Sequence, residues 1–102
     1  MYLTQILLPL YDNHGHKLPK DKYDAVCNQL IDRFNGLTAY TRTPAKGFWQ
    51  EDGQRIIHDD IIIYEVMSDQ SETNWWKEYR DKLEKIFSQE TVIIRQHEVK
   101  VL

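Results

Sequence analysis

Chemistry in this chain is best sought at Glu65, a single carboxylate inside the apolar run Ile61-Ile62-Ile63-Tyr64-Glu65-Val66-Met67. A strand built from that run is dry on both faces, and an unpaired charge there is costly, so Glu65 needs a protein cation or a wet cavity. Two-residue alternation puts Glu65 on the same sheet face as Gln5, with Arg42, Arg95 or His97 as neighbours from flanking strands. Glu65, Gln5, His97 and Arg42 are therefore the candidate pocket. A cation beside Glu65 makes a structural ion pair, whereas a cavity lined by Glu65, Gln5 and His97 makes the carboxylate a general base.

Two histidine motifs offer other chemistry. His14-Gly15-His16 follows Asp12 in a turn, and two imidazoles beside a carboxylate are ligands for Zn²⁺ or Ni²⁺. A structural zinc site takes four ligands, and His58 and His97 lie far off in sequence, so His14 and His16 are expected to bind metal only weakly and no metal or other cofactor is assigned. His58-Asp59-Asp60 suggests acid–base work, but neighbouring strand residues point to opposite faces. His58 and Asp60 share a face at roughly 6.5–7 Å along the strand, beyond hydrogen-bond reach. The motif reads instead as a polar bend or bulge. Trp49, Trp75 and Trp76 sit among apolar residues at structural periods and read as core or interface, and Cys27 as a small core residue. There is no Gly-rich phosphate loop, Gly-x-Ser-x-Gly elbow or Cys-x-x-Cys pair.

The elements that must position these residues follow from periodicity. Tyr2 to Tyr11 reads as a central strand, with Ile6, Leu8 and Leu10 on one face and Leu3, Gln5 and Leu7 on the other. After the Asp12–His16 turn and Pro19, a helix carries Tyr23, Val26, Cys27, Leu30, Ile31 and Phe34 inward, and Gly36 supplies its left-handed cap. A strand from Leu37 is interrupted by Pro44 and Gly47 and resumes at Phe48-Trp49-Gln50. The Asp52-Gly53 turn then pairs it with Arg55–Ile57, which continues through Met67. Ser71 or Thr73 caps a second helix with Trp76, Tyr79, Leu83, Ile86 and Phe87 inward and Arg80, Lys82, Glu84 and Lys85 solvated. Thr91 to Val101 is a last strand. The order βαββαβ, with right-handed crossovers, predicts a ferredoxin-like α+β domain over residues 1–102: an antiparallel sheet in the order 4-1-3-2 with both helices on one face.

Phe34-Asn35-Gly36-Leu37-Thr38, Gly47-Phe48-Trp49 before Asp52-Gly53, and Phe87-Ser88-Gln89-Glu90-Thr91-Val92 together resemble an uncharacterised family of small bacterial proteins, a domain of unknown function. The similarity spans roughly Tyr23 to Arg95 and rests on the order and spacing of the three motifs. It implies one compact α+β domain and no particular reaction.

With 102 residues the chain is one folding unit. Leu, Ile, Val and Phe form about a quarter of it, above the roughly 20% typical of disorder. Sixteen acidic against thirteen basic side chains leave a net charge of -3, which disfavours general nucleic-acid binding. No apolar run approaches the roughly 20 residues of a membrane span, and one cysteine cannot form an intrachain disulfide, so the expected setting is the cytoplasm. Leu3, Leu7, Ile61, Ile63 and Met67 all project from the sheet face opposite the helices, which predicts a homodimer through that face. The expected function is a small dimeric ligand-binding or interaction module. The alternative is a cofactor-independent enzyme of dimeric α+β-barrel type that performs proton transfer on a small organic molecule.

Overall fold

A computed structural model of the chain describes the backbone of residues 1–51 and 55–102 and the side chains of residues 1–41, 46–48 and 60–102. Its elements are β1 (Tyr2–Pro9), α1 (Lys20–Phe34), β2 (Thr38–Glu51), β3 (Arg55–Ser68), α2 (Thr73–Ile86) and β4 (Ile93–Glu98). The four strands form one sheet in the order β2-β3-β1-β4, which is the expected 4-1-3-2 order read from the other edge. Every pairing is antiparallel. This is the ferredoxin-like arrangement.

Alternation along the strands divides the sheet into two faces. Ile6 and Leu8 of β1 and Ile62, Tyr64 and Val66 of β3 are buried under the helices. They meet Val26 and Leu30 of α1 and Trp76, Tyr79 and Leu83 of α2, with Phe87 and Val92 closing the end of the core. Leu10 packs at its margin, on the face expected for it. Tyr64 lies under this layer, and burial, reinforced by the nearby Cys27 thiol, pushes its phenol well above the ordinary range. Burial likewise pushes Tyr23 and Tyr79 up to about 12.

Local chemistry explains where the elements stop. Asn35, rather than Gly36, takes the left-handed conformation (φ 64°) that ends α1, and its N–H donates to the Ile31 carbonyl at 2.8 Å. Asparagine tolerates that region, so the glycine after it is free for other geometry. Ile31 is exposed instead of facing inward, because the stripe set by Val26, Leu30 and Phe34 passes beside it. The cap of α2 falls on Glu72, between the two expected hydroxyl residues, and its side chain makes no capping bond. The Glu72 carboxylate instead accepts from Arg33 of α1 at 2.7 Å. At the other end of α2, Lys22 donates to the Ile86 carbonyl at 2.7 Å, a cation on the negative end of the helix. Glu84, expected on the solvated face, is half-buried and accepts the Val92 N–H at 2.9 Å, which fixes the entry to β4.

The hairpin is longer and more regular than its sequence suggests. β2 and β3 pair from Thr38↔Glu65 to Glu51↔Arg55, and the register shifts only between Tyr40 and Ala45. The irregularity therefore lies on β2, around Pro44. Asp60, Asp59 and His58 pair in unbroken register with Lys46, Gly47 and Phe48, so the bulge expected at His58-Asp59-Asp60 is not there. Proline lacks the N–H that a ladder needs, which is why the irregularity falls on its strand and not on the polar triplet. The Asp52-Gly53 turn itself lies outside the described residues.

Candidate functional site

The open face of the sheet carries the candidate site. Register sets Gln5 of β1 directly between Glu65 of β3 and Arg95 of β4. Thr38 of β2 stands on the far side of Glu65. The Gln5 carboxamide uses both its ends: Nε2 donates to Glu65 Oε1 at 2.6 Å, and Oε1 accepts from Arg95 Nε at 2.7 Å. Tyr40, from β2, donates its hydroxyl to Glu65 Oε2 at 3.3 Å. A polar row thus crosses the sheet, cationic at the β4 edge and anionic at β3.

A direct ion pair of Glu65 with Arg95, one of its two expected partners, gives way to this relay. Arg95 reaches Glu65 only through Gln5, since β1 separates their strands. Arg42 belongs to the side chains outside the described set. His97 stands beside Leu3, one row along β4 from Arg95, exposed and not bonded to Gln5 or Glu65. Gln5 and Glu65 are therefore brought together as expected, and His97 is not. Tyr40 was missed. Its two-residue offset from Thr38 was legible, but which strand residue it would face depends on the pairing of β2 with β3.

Apolar rows flank the polar one. On one side lie Leu3 and Met67, and on the other Leu7, Ile63 and Ile93. Leu3, Leu7, Ile61 and Ile63 are half-buried, while Met67 and Ile93 are each 53% exposed and Tyr40 51%. The open face thus combines a wide apolar surface with a charged stripe through its middle.

The remaining motifs make local contacts where they are described. At the Asp12 turn, Asp12 Oδ1 accepts the N–H groups of His14 and His16 at 2.8 and 2.9 Å, and Gly15 (φ 79°) completes the reversal. The His16 N–H bond chiefly holds the Asp12 carboxyl below its ordinary value. The two imidazoles are exposed, with ring centres 6.5 Å apart. Among the described residues no three His, Cys, Asp or Glu side chains are placed to hold a metal ion. Asp60 faces Lys46 at 3.3 Å, and the side chains of His58 and Asp59 are outside the described set.

On the helix side, a groove of about 550 Å³ runs past Gln29, Trp75, Tyr79 and Lys82. The Trp75 ring is already engaged, stacked on Tyr79 at 4.7 Å with the Arg33 guanidinium 4.4 Å from its centre. Little aromatic surface is left for a solute. A smaller groove of about 170 Å³ passes Trp76, Lys77 and Arg80, but Trp76 Nε1, without a partner among the described residues, is sealed from it by burial.

Fold and site together define a ferredoxin-like α+β domain with a polar relay on its uncovered face. No protein-family model and no curated protein matches the chain. Solved structures do. The chain is similar to a phage SAM lyase in complex with S-methyl-5'-thioadenosine, at 13% identity and a TM-score of 0.63, over 95% of this chain and 80% of that one. It is also similar to the divalent cation tolerance protein CutA1 from Thermus thermophilus, at 9% identity and a TM-score of 0.64, over 97% and 84%. CutA1 from Pyrococcus horikoshii aligns at 12% identity and a TM-score of 0.62, over 100% and 86%. At these identities the likeness establishes the shared fold. No helix among the described residues is long and apolar enough to cross a membrane.

Proposed function

We propose that the chain is a self-associating ligand-binding module, in which copies meet through the open sheet face as a homodimer and enclose the Glu65–Gln5–Arg95 row beside a small organic ligand. The observation that carries this reading is the join of half-exposed apolar rows to a hydrogen-bonded polar relay on one face. Apolar area of that kind offers about 25 cal/mol per Å² when removed from water, and the ordering costs of association keep this sum from being an affinity. The relay lowers the cost of burial, because Gln5 already supplies each charge with one hydrogen bond. A binding role is favoured over proton transfer because His97, the natural second group of an acid–base pair, stands apart from Glu65. The half-buried, unbridged Cys27 accords with a cytoplasmic setting.

Light scattering at high micromolar concentration should show an assembly that Ile63→Asp disperses, and a monomeric parent protein would overturn the reading. Ligand binding is tested by thermal shift with S-methyl-5'-thioadenosine and with divalent cations, the species named with the similar structures. A shift that Glu65→Gln abolishes supports the site at the row. An equal shift in both proteins would place binding elsewhere.

A further inference from the structure

We infer that the polar row sets the geometry of self-association, with Arg95 of one copy pairing across the interface with Glu65 of a second copy. The inference rests on the proposed association through the open face. Within one copy, the row runs from Arg95 on the edge strand β4, through Gln5 on β1, to Glu65 on β3. Gln5 engages Arg95 only through Nε, so the two terminal nitrogens of the guanidinium have no partner among the described residues. At the other end, Glu65 Oε2 has, among the described residues, only the long 3.3 Å bond from Tyr40. Each end of the row therefore retains bonding capacity of opposite sign, aimed off the same face. Covering that face removes water from both ends, which is costly for an unpaired guanidinium or carboxylate and favourable when a planar fork meets a carboxylate.

Charge decides between the ways two such faces can meet. A two-fold axis running along the row stacks Arg95 on Arg95 and Glu65 on Glu65, and like charges across an interface are strongly disfavoured. An axis running along β1 reverses the row instead. It lays Arg95 of each copy over Glu65 of the other, with Gln5 facing Gln5 and the rows of Leu3 and Leu7 facing their own counterparts. The apolar contacts are self-complementary under either axis, so they supply affinity without choosing between them. The charged ends make the choice.

The test is charge reversal. Arg95 is exposed on an edge strand, so Arg95→Glu should fold, which circular dichroism checks. It makes both ends of the row acidic and should weaken association at least about tenfold in sedimentation equilibrium. Glu65→Lys makes both ends basic and should do the same. An equimolar mixture of the two variants should associate again, and the double reversal Arg95→Glu/Glu65→Lys in one chain should associate with itself. Should Glu65→Lys fail to fold, the ionic-strength dependence replaces it: the parent protein should lose affinity with added salt and Arg95→Glu should not. If the parent protein associates and Ile63→Asp disperses it, while Arg95→Glu associates as tightly as the parent, the pairing is wrong and the association stands. The pairing is equally overturned if folded reversals each disperse but neither the mixture nor the double reversal recovers. A parent protein that remains monomeric overturns both.

Discussion

The two faces of the sheet are made by the same strands, yet they solve opposite problems. On the covered face, Ile6, Leu8, Ile62, Tyr64 and Val66 are sealed under α1 and α2, and the buried polar residue Thr4 accepts a hydrogen bond from Gln96 at 2.8 Å. On the open face, side chains of similar size alternate with them but remain half-exposed, and a charged row interrupts them. Two helices can cover only one side of a four-stranded sheet. The difference shows that hydrophobicity along a strand does not by itself say which face the chain's own helices will cover.

The sharpest way to break this comparison is to truncate neighbouring residues that point to opposite sides. Leu8→Ala leaves a cavity in a packed core and should cost about 2–5 kcal/mol in urea unfolding. Leu7→Ala should cost clearly less in dilute solution and progressively more as protein concentration rises, as the proposed packing of Leu7 against a second copy requires. Equal losses, independent of concentration, would mean that the open face is packed within one copy.

A smaller effect is expected at the centre of the polar row. Gln5→Ala removes both bonds that join Glu65 to Arg95, and hydrogen bonds to charged groups contribute about 1.5–3 kcal/mol each when well shielded. The row is partly exposed, so the loss should fall near or below the lower figure and be read as a shift of the urea midpoint. Gln5→Glu should be worse than Gln5→Ala, since it sets a second carboxylate against Glu65. A Gln5→Ala variant as stable as the parent, at all concentrations, would reduce the row to surface decoration.

The smallest effect lies away from both faces, at the Asp12 turn. The folded carboxyl is held below the ordinary value of 3.8, chiefly by the His16 N–H. Its contribution to the turn is therefore fully present above pH 3.8 and is lost as pH falls through the lower folded value. Amide resonances of His14 and His16 should move together in that acidic window and not near neutral pH. In Asp12→Ala the acidic step should vanish while both faces of the sheet keep their stability.

Much of the architecture was determined by the sequence alone. The alternation of Ile6 and Leu8 with Gln5 and Leu7, the helical stripes of Val26 and Leu30 and of Trp76, Tyr79 and Leu83, and the βαββαβ order required the ferredoxin-like sheet with both helices on one side. These are local periodicities, and a one-residue slip would turn an entire apolar set to the wrong face, so they leave little choice. The pairing of Gln5 with Glu65 on the open face was legible for the same reason. What tertiary structure decided was everything that depends on register between distant strands and on competition for a cap. It set Gln5 between Glu65 and Arg95, brought Tyr40 to the carboxylate, left His97 one row away, moved the irregularity from His58-Asp59-Asp60 to the Pro44 strand, and gave the left-handed position to Asn35. Each outcome turns on a few ångströms of strand offset or a single hydrogen bond. Such differences are small beside the hydrophobic pattern, and only the assembled sheet resolves them.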